Sequence, residues 1–349
     1  MRLRFSILFL ALAAIAFFTI PVKSSDLGER IYIDNSEIYF KAGVTRNEAL
    51  AVLEYMNKRE KFNSKTSFQL TKRGENFELR TILREGFNTE ESWSSQMQMV
   101  AMQISSNALN EKPLEIHICD GNFNTKQILP FLGNIGKRLE FEKAEVYFGN
   151  EIERQEAGEL GTLLDSTGFL TGEKKLILLK KVNDVCQVSF FVREGVSLDE
   201  NLKKYFNFYS KLISSRVFNQ QPTEIVILNE KMKAISVFCG QGSFGERLEI
   251  GKDEIFFTNG IEKAEAIKIG EFFTKTKFFT GMGSSIQLSN NGEFKEVKVI
   301  CKGRLSADTK ELFRKYMKEM SRSVLERKKV LLVFCDETFE PIQEIEISG

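Results

Sequence analysis

The chain has one histidine, one tryptophan and no surplus of either charge. Lys+Arg number 49 against Asp+Glu 48, for a net charge of +1. Without a basic excess there is no counterion-release term to hold a polyanion, so nucleic acid is not an expected partner. A lone histidine, His117, means that any Ser-His-Asp arrangement must pass through it, and no G-x-S-x-G accompanies it. The five cysteines, Cys119, Cys186, Cys239, Cys301 and Cys335, show no C-x-x-C spacing. That excludes a zinc knuckle and a disulfide framework; the thiols read as buried core residues in strand-like runs, with one pair possible. No G-x-x-x-x-G-K-[ST] and no D-x-D-x-D-G loop occurs. No metal, cofactor or catalytic residue is therefore assigned.

What is present is hydrophobic and aromatic: 42% apolar residues and 31 Phe, enough for real cores over 349 residues. Charges alternate in sign, as in "NKREK" and "NEKMK", the pattern of solvated helix faces. Arg2 and Arg4 precede the uncharged run Phe5–Val22, "FSILFLALAAIAFFTIPV". This reads as residues 1–25 forming either a cleaved secretory signal or an uncleaved membrane anchor, with the body outside the cytoplasm in both cases. The expected partners are a membrane through residues 5–22, if the segment is retained, and a protein partner or further copies of the chain.

The chain also repeats itself. "SEIYFKAGVTRNEAL", "AEVYFGNEIERQEAG" and "DEIFFTNGIEKAEAI" align with Glu37, Glu145 and Glu254 in one column and Glu48, Glu156 and Glu265 in another. Gly28, Gly136 and Gly245 open the units; Gly86, Gly195 and Gly303, then Asp120, Asn229 and Asp336, mark later landmarks. We read three tandem modules, 28–135, 136–244 and 245–349. Each is patterned as strand, helix, two strands, helix, strand. Thr45–Glu48 predicts a capping box for the first helix. Helical stripes come next at Ala49, Val52, Leu53 and Met56, and at Met97, Val100, Ile104 and Ala108. Asn290-Asn291-Gly292 predicts a hairpin. The fold class is α+β: three β-α-β-β-α-β repeats, each either a ferredoxin-like split βαβ or a related topology with another strand order.

"GQGSFG", Gly240–Gly245, has the spacing of a phosphate-binding loop, but it leads into a strand-like run, "ERLEI", rather than a helix N-terminus. It reads as a flexible linker between the second and third modules. Glu115, His117 and Cys119 share one strand face, where a Cys–His pair could serve as a nucleophile or half a metal site. Val226 and Val333 replace His117 in the sister modules, so the position is expected to be one of packing. Trp93, matched by Leu202, is expected in the core. In the Phe pairs Phe190-Phe191 and Phe256-Phe257, one ring must leave its own module's core, which points to contacts between modules.

The strings "FFTG" at Phe278–Gly281, "SIQLSNNGEF", "VREG" and "SRVF" resemble a repeated module of uncharacterised bacterial proteins, often placed beside membrane segments. The resemblance spans nearly all of 28–349. It implies export or membrane attachment and carries no activity. Three functions remain open on this basis: a non-enzymatic binding or scaffolding surface, a ligand or peptide sensor with an inter-module cleft, and a hydrolase using Cys119 and His117. The first is the preferred expectation.

Overall fold

The computed structural model describes residues 27–348 apart from 60, 61, 63, 64, 83–90, 171–173, 193–195, 197, 230, 241, 259 and 302–304. The apolar run 5–22 and the glycines Gly86, Gly195 and Gly303 lie outside the described residues. Among the described residues no helix is long and apolar enough to cross a membrane.

The first module runs β1 (Glu29–Ile33), β2 (Ser36–Phe40), α1 (Arg46–Arg59), β3 (Thr66–Arg73), β4 (Asn76–Ile82), α2 (Glu91–Ala108), β5 (Leu114–Cys119) and β6 (Thr125–Leu129). The second repeats the order with β7 (Lys137–Glu140), β8 (Ala144–Phe148), α3 (Arg154–Ser166), β9 (Lys175–Val182), β10 (Val185–Phe191), α4 (Glu200–Arg216), β11 (Thr223–Leu228) and β12 (Ala234–Cys239). The third has β13 (Glu246–Ile250), β14 (Asp253–Phe257), α5 (Lys263–Lys275), β15 (Ser285–Asn290), β16 (Lys295–Ile300), α6 (Ala307–Ser323), β17 (Val330–Cys335) and β18 (Pro341–Ile347). The α+β class and the threefold repeat hold, with one strand more at each end than the minimal pattern.

Each sheet has six strands in consecutive order. In the first and third modules the pairs alternate antiparallel, parallel, antiparallel, parallel, antiparallel. Of the two strand orders left open by the pattern, this is the second. A split βαβ leaves room for a strand between its parallel pair, whereas here β2 lies directly beside β3 and β4 beside β5. Each helix thus connects neighbouring parallel strands, and hairpins supply the rest.

Local signals explain the boundaries. Thr45 and Glu48 form the capping box: the Thr45 N–H donates to Glu48 Oε2 at 2.8 Å, and the Glu48 N–H donates to Thr45 Oγ1 at 3.2 Å. Asp199 and Ser306 cap α4 and α6 through the N–H groups of Leu202 and Thr309. Glu265 departs from its counterparts, because its carboxylate takes the buried ammonium of Lys295 at 2.9 Å. In the first module Ala49, Val52, Leu53 and Met56 of α1 and Met97, Val100 and Ile104 of α2 pack on Ile38, Phe68, Leu79 and Ile116. Trp93 belongs to this core. The third core is richer in aromatics, with Phe273, Phe278, Phe279, Phe313 and Phe334 in successive ring contacts.

By packing, the chain divides into two compact units. One comprises the residues up to Lys181 with Gln187–Val196 and Val226–Val237; the other comprises Val182–Cys186, Ser197–Ile225 and Phe238–Gly349. The division passes through the second module, so the contact between modules one and two lies in the first unit and that between two and three in the second.

Candidate functional site: the module joints and the outer sheet faces

Along a strand, side chains alternate between the core face and the opposite, outer face of the sheet. The repeat's buried glutamate, Glu37, Glu145 or Glu254, sits on this outer face. In the first unit, Met99 and Met102 of α2 leave their own core and pack with Ile135 of the connection between the modules and with Tyr147, Leu176, Leu178 and Phe191 of the second module. Beside this apolar patch, Glu145 accepts from Arg138 Nη2 at 2.8 Å and from Arg59 of α1. Arg59 also donates to the Tyr147 hydroxyl at 3.2 Å, as does Asn107 Nδ2 at 3.3 Å. Burial, then Tyr55 and Glu145, pushes the Tyr147 phenol far above its ordinary value, so it stays protonated.

The second unit holds the equivalent joint in different chemistry. Glu254 accepts from Arg247 Nε at 2.8 Å, Ser285 Oγ at 2.6 Å, and Arg216 at the end of α4. Phe208 of α4 packs among Phe244 and Phe339, with ring centroids 5.5 and 6.5 Å away, and Phe244 in turn meets Phe256 at 5.6 Å. Tyr205 donates its hydroxyl to Glu337. Each buried ring or thioether of this kind contributes about 1.5–3 kcal/mol through area removed from water. Phe191 and Phe256 are therefore the rings that leave their own cores, as the strand alternation requires.

"GQGSFG" is the connection that fixes this joint. It joins β12 to β13, which agrees with a linker, but it is pinned rather than loose. The Gly240 N–H donates to Ser210 Oγ at 2.6 Å and the Phe244 N–H to Ser215 Oγ at 2.7 Å, both on α4. A Cβ at Gly240 would overlap Ser210 and Lys211, so the glycine permits the strand to meet the helix. Gly245 has φ +102, and a Cβ there would overlap the Phe257 carbonyl oxygen. The earlier connection is tied similarly, with Gln98 Nε2 donating to the Pro130 carbonyl at 3.1 Å and the Asn134 side-chain amide 3.1 Å from Ser105 Oγ.

The outer face of the first sheet repeats the polar residues of the third. Ser67 Oγ donates to Glu37 at 2.7 Å, as Ser285 does to Glu254. Gln69 Nε2 donates to the Leu27 carbonyl at 3.1 Å, as Gln287 does to that of Phe244 at 3.0 Å. Thr71 and Ser289 donate to Glu78 and Glu296 in the same way. The Glu37 carboxylate, however, has its basic neighbours Arg30 and Lys65 at 3.6 Å rather than in hydrogen-bond contact.

His117 also lies on this face, buried like its sister valines Val226 and Val333. Its Nδ1 is 3.2 Å from Thr125 Oγ1, and its Nε2 is 3.7 Å from Glu115. Cys119 Sγ donates to the His117 carbonyl at 3.5 Å and lies 4.0 Å from the same Thr125 hydroxyl. Burial pushes the Cys119 thiol up, opposite to what an activated nucleophile needs. The two side chains thus share a threonine rather than forming a thiolate–imidazole pair. All five cysteines are free. Cys119, Cys186 and Cys335 are buried as expected, while Cys239 at the end of β12 is exposed, because an edge strand buries only one face. Among the described residues no cluster of His, Cys, Asp or Glu has the shape of a metal site.

The residues that sequence reasoning passes over are Arg59, Arg216 and Tyr147. The available signal is a glutamate inside an otherwise apolar strand, recurring in all three modules. A buried carboxylate requires a cation or donors nearby.

A family model described as the family N-terminal domain AF_1994_N matches the chain three times, at residues 30–129, 138–237 and 247–346. No curated protein and no solved structure matches the chain.

Proposed function

The chain belongs to the AF_1994_N family through three consecutive copies of its domain, and from that premise we propose that it is a non-enzymatic binding or scaffolding protein, exported or held at a membrane by residues 5–22. The observation that supports this reading is the use made of the repeat's recurring polar positions. Glu145 and Glu254, with Arg59 and Arg216, lock one module to the next rather than surrounding a cavity. His117, which departs from the repeat, and Cys119, matched by Cys335 in the third module, sit in a buried arrangement with a protonated thiol. Both joints are filled by packed side chains, which favours a presenting surface over a ligand cleft opening between modules.

Two measurements on the full chain in its native host test the reading. Protease protection on intact cells should show the modules outside the cytoplasmic membrane, and crosslinking with affinity capture should return a defined complex. That complex should be unchanged by His117→Val, the residue both sister modules carry. A cytoplasmic chain, or a complex or activity lost with His117→Val, would refute it.

A further inference from the structure

The strand that closes each module can be compared position by position, and the middle one differs in kind. Asp120, Asn229 and Asp336 each accept the backbone N–H groups two and four residues on, which starts β6, β12 and β18 in one register. Over their first five residues the three strands share one pattern of burial, with the fifth, Leu129, Phe238 or Ile345, turned inward. Phe238 stacks there on Phe206 of α4, ring centroids 4.9 Å apart. The alternate residues face outward. They are Lys126, Ile128 and Pro130 in the first module and Ile342, Glu344 and Glu346 in the third, but Ile235, Val237 and Cys239 in the second. These last three are all exposed, Ile235 by 45% and Val237 by 50%. β12 also ends its sheet, with β11 on one side and no strand on the other. The other edge strands, β1, β6, β7, β13 and β18, each carry charge; β12, "AISVFC", carries neither charge nor proline.

We propose that β12 is a pairing edge for a second copy of the chain, the two β12 strands joining antiparallel about a twofold axis at Val237. An edge strand leaves a row of backbone N–H and C=O groups open to another strand, and charge or proline is what ordinarily keeps it from pairing. Lys126 and Pro130, and Pro341, Glu344 and Glu346, supply that protection in the sister modules. The occupant follows from self-complementarity, because in a twofold contact the same patch serves both partners. β18 turned about Glu344 would set two carboxylates face to face, which is destabilising. β12 turned about Val237 sets Val237 against its own copy and Ile235 against Cys239, with Lys233 beyond the paired stretch. An axis at Ser236 would instead bring Cys239 opposite Lys233, so the apolar stripe selects the register. The contact stops at two chains, since the far side of β12 is already taken by β11. A single strand pair is a small interface, of the weak and reversible class.

Sedimentation of the purified full chain, in detergent to accommodate residues 5–22, tests this without a third protein, and so separately from the complex sought by affinity capture. Raising the concentration roughly a hundredfold should carry the protein's average mass up by a factor approaching about two, and no further. Val237→Glu, which copies Glu344 of the third module, should hold the mass at that of one chain, as should Val237→Lys. Circular dichroism should show both variants folded, because Val237 is half exposed. An equal mixture of the two should regain the twofold mass, since carboxylate and ammonium then meet across the axis. Ile235→Lys, which copies Lys126 of the first module, should also lower the mass, and it serves if a substitution at 237 unfolds the module. A wild type of constant mass, association indifferent to Val237→Glu, or folded variants that stay apart when mixed would each overturn the proposal.

Discussion

Arg216 and Glu254 offer the most direct measure of what holds a joint. The Glu254 side chain is 3% exposed and that of Arg216 is 21% exposed, so the pair sits largely out of water. Removing one partner of a fully buried pair costs about 3–5 kcal/mol, because the other charge is stranded. Here Glu254 keeps Arg247 Nε at 2.8 Å and Ser285 Oγ at 2.6 Å, so the carboxylate is not orphaned. Arg216→Met should therefore cost about 2 kcal/mol, below that range. Glu254→Gln leaves two guanidiniums that can turn toward solvent and should cost about 1 kcal/mol. The double variant removes the carboxylate together with one of its two guanidiniums, leaving Arg247 to turn toward solvent, so it should cost about 1.5 kcal/mol, a coupling of about 1.5 kcal/mol. Urea unfolding monitored by circular dichroism, compared at equal m-value, gives the four corners of the cycle. Single costs that add to within about 0.5 kcal/mol would show that the pair is not coupled, and the electrostatic account of the joint would fail.

Geometry and charge fix two further outcomes. Gly245→Ala should destabilise the third module by more than about 1 kcal/mol, since its φ of +102 and the Phe257 carbonyl both exclude a Cβ; urea melts that show no loss would mean the β12–β13 connection can be re-laid. The Glu48 carboxyl is held below its usual value: burial raises it, but the Thr45 N–H and hydroxyl and the nearby Lys112 outweigh that. A depressed folded value places its stabilising effect above the unfolded carboxyl pKa of about 4.3 and removes it as pH falls through the folded value. Glu48→Gln should thus cost about 0.5 kcal/mol at neutral pH and close to nothing under acid conditions below that window; an equal cost at both would refute the capping role.

Much of this architecture is legible in the order of residues, and the limits are instructive. The Thr45–Glu48 box, the Asn290–Gly292 hairpin and the helical stripes are local, depending on neighbours within a few residues, and each appears where its pattern places it. Strand order is not local: whether β2 lies beside β3 or is separated from it by another strand leaves the same alternation in the sequence. The exposure of Cys239 has the same origin, because an edge strand and an inner strand can carry similar apolar runs. For Glu37, Glu145 and Glu254 the recurrence is visible but its meaning is not, since Arg59 lies 86 residues from Glu145 and Arg216 lies 38 from Glu254, on different helices. The pattern of "GQGSFG" places it between modules, yet its stiffness depends on two serines of α4 that no glycine spacing announces.

The two joints draw their arginine from different helices, Arg59 of α1 in one and Arg216 of α4 in the other, and line it with methionine and leucine in the first and phenylalanine in the second. Neighbours are therefore keyed to one another, much as differently cut teeth mesh in one sequence only. Excising the middle module would bring thioethers against a face of serine, glutamine and glutamate, leaving Glu254 without the guanidinium from α4. The order of the copies is thus written into their surfaces, and shuffling them would yield a polypeptide with the same parts and no fit.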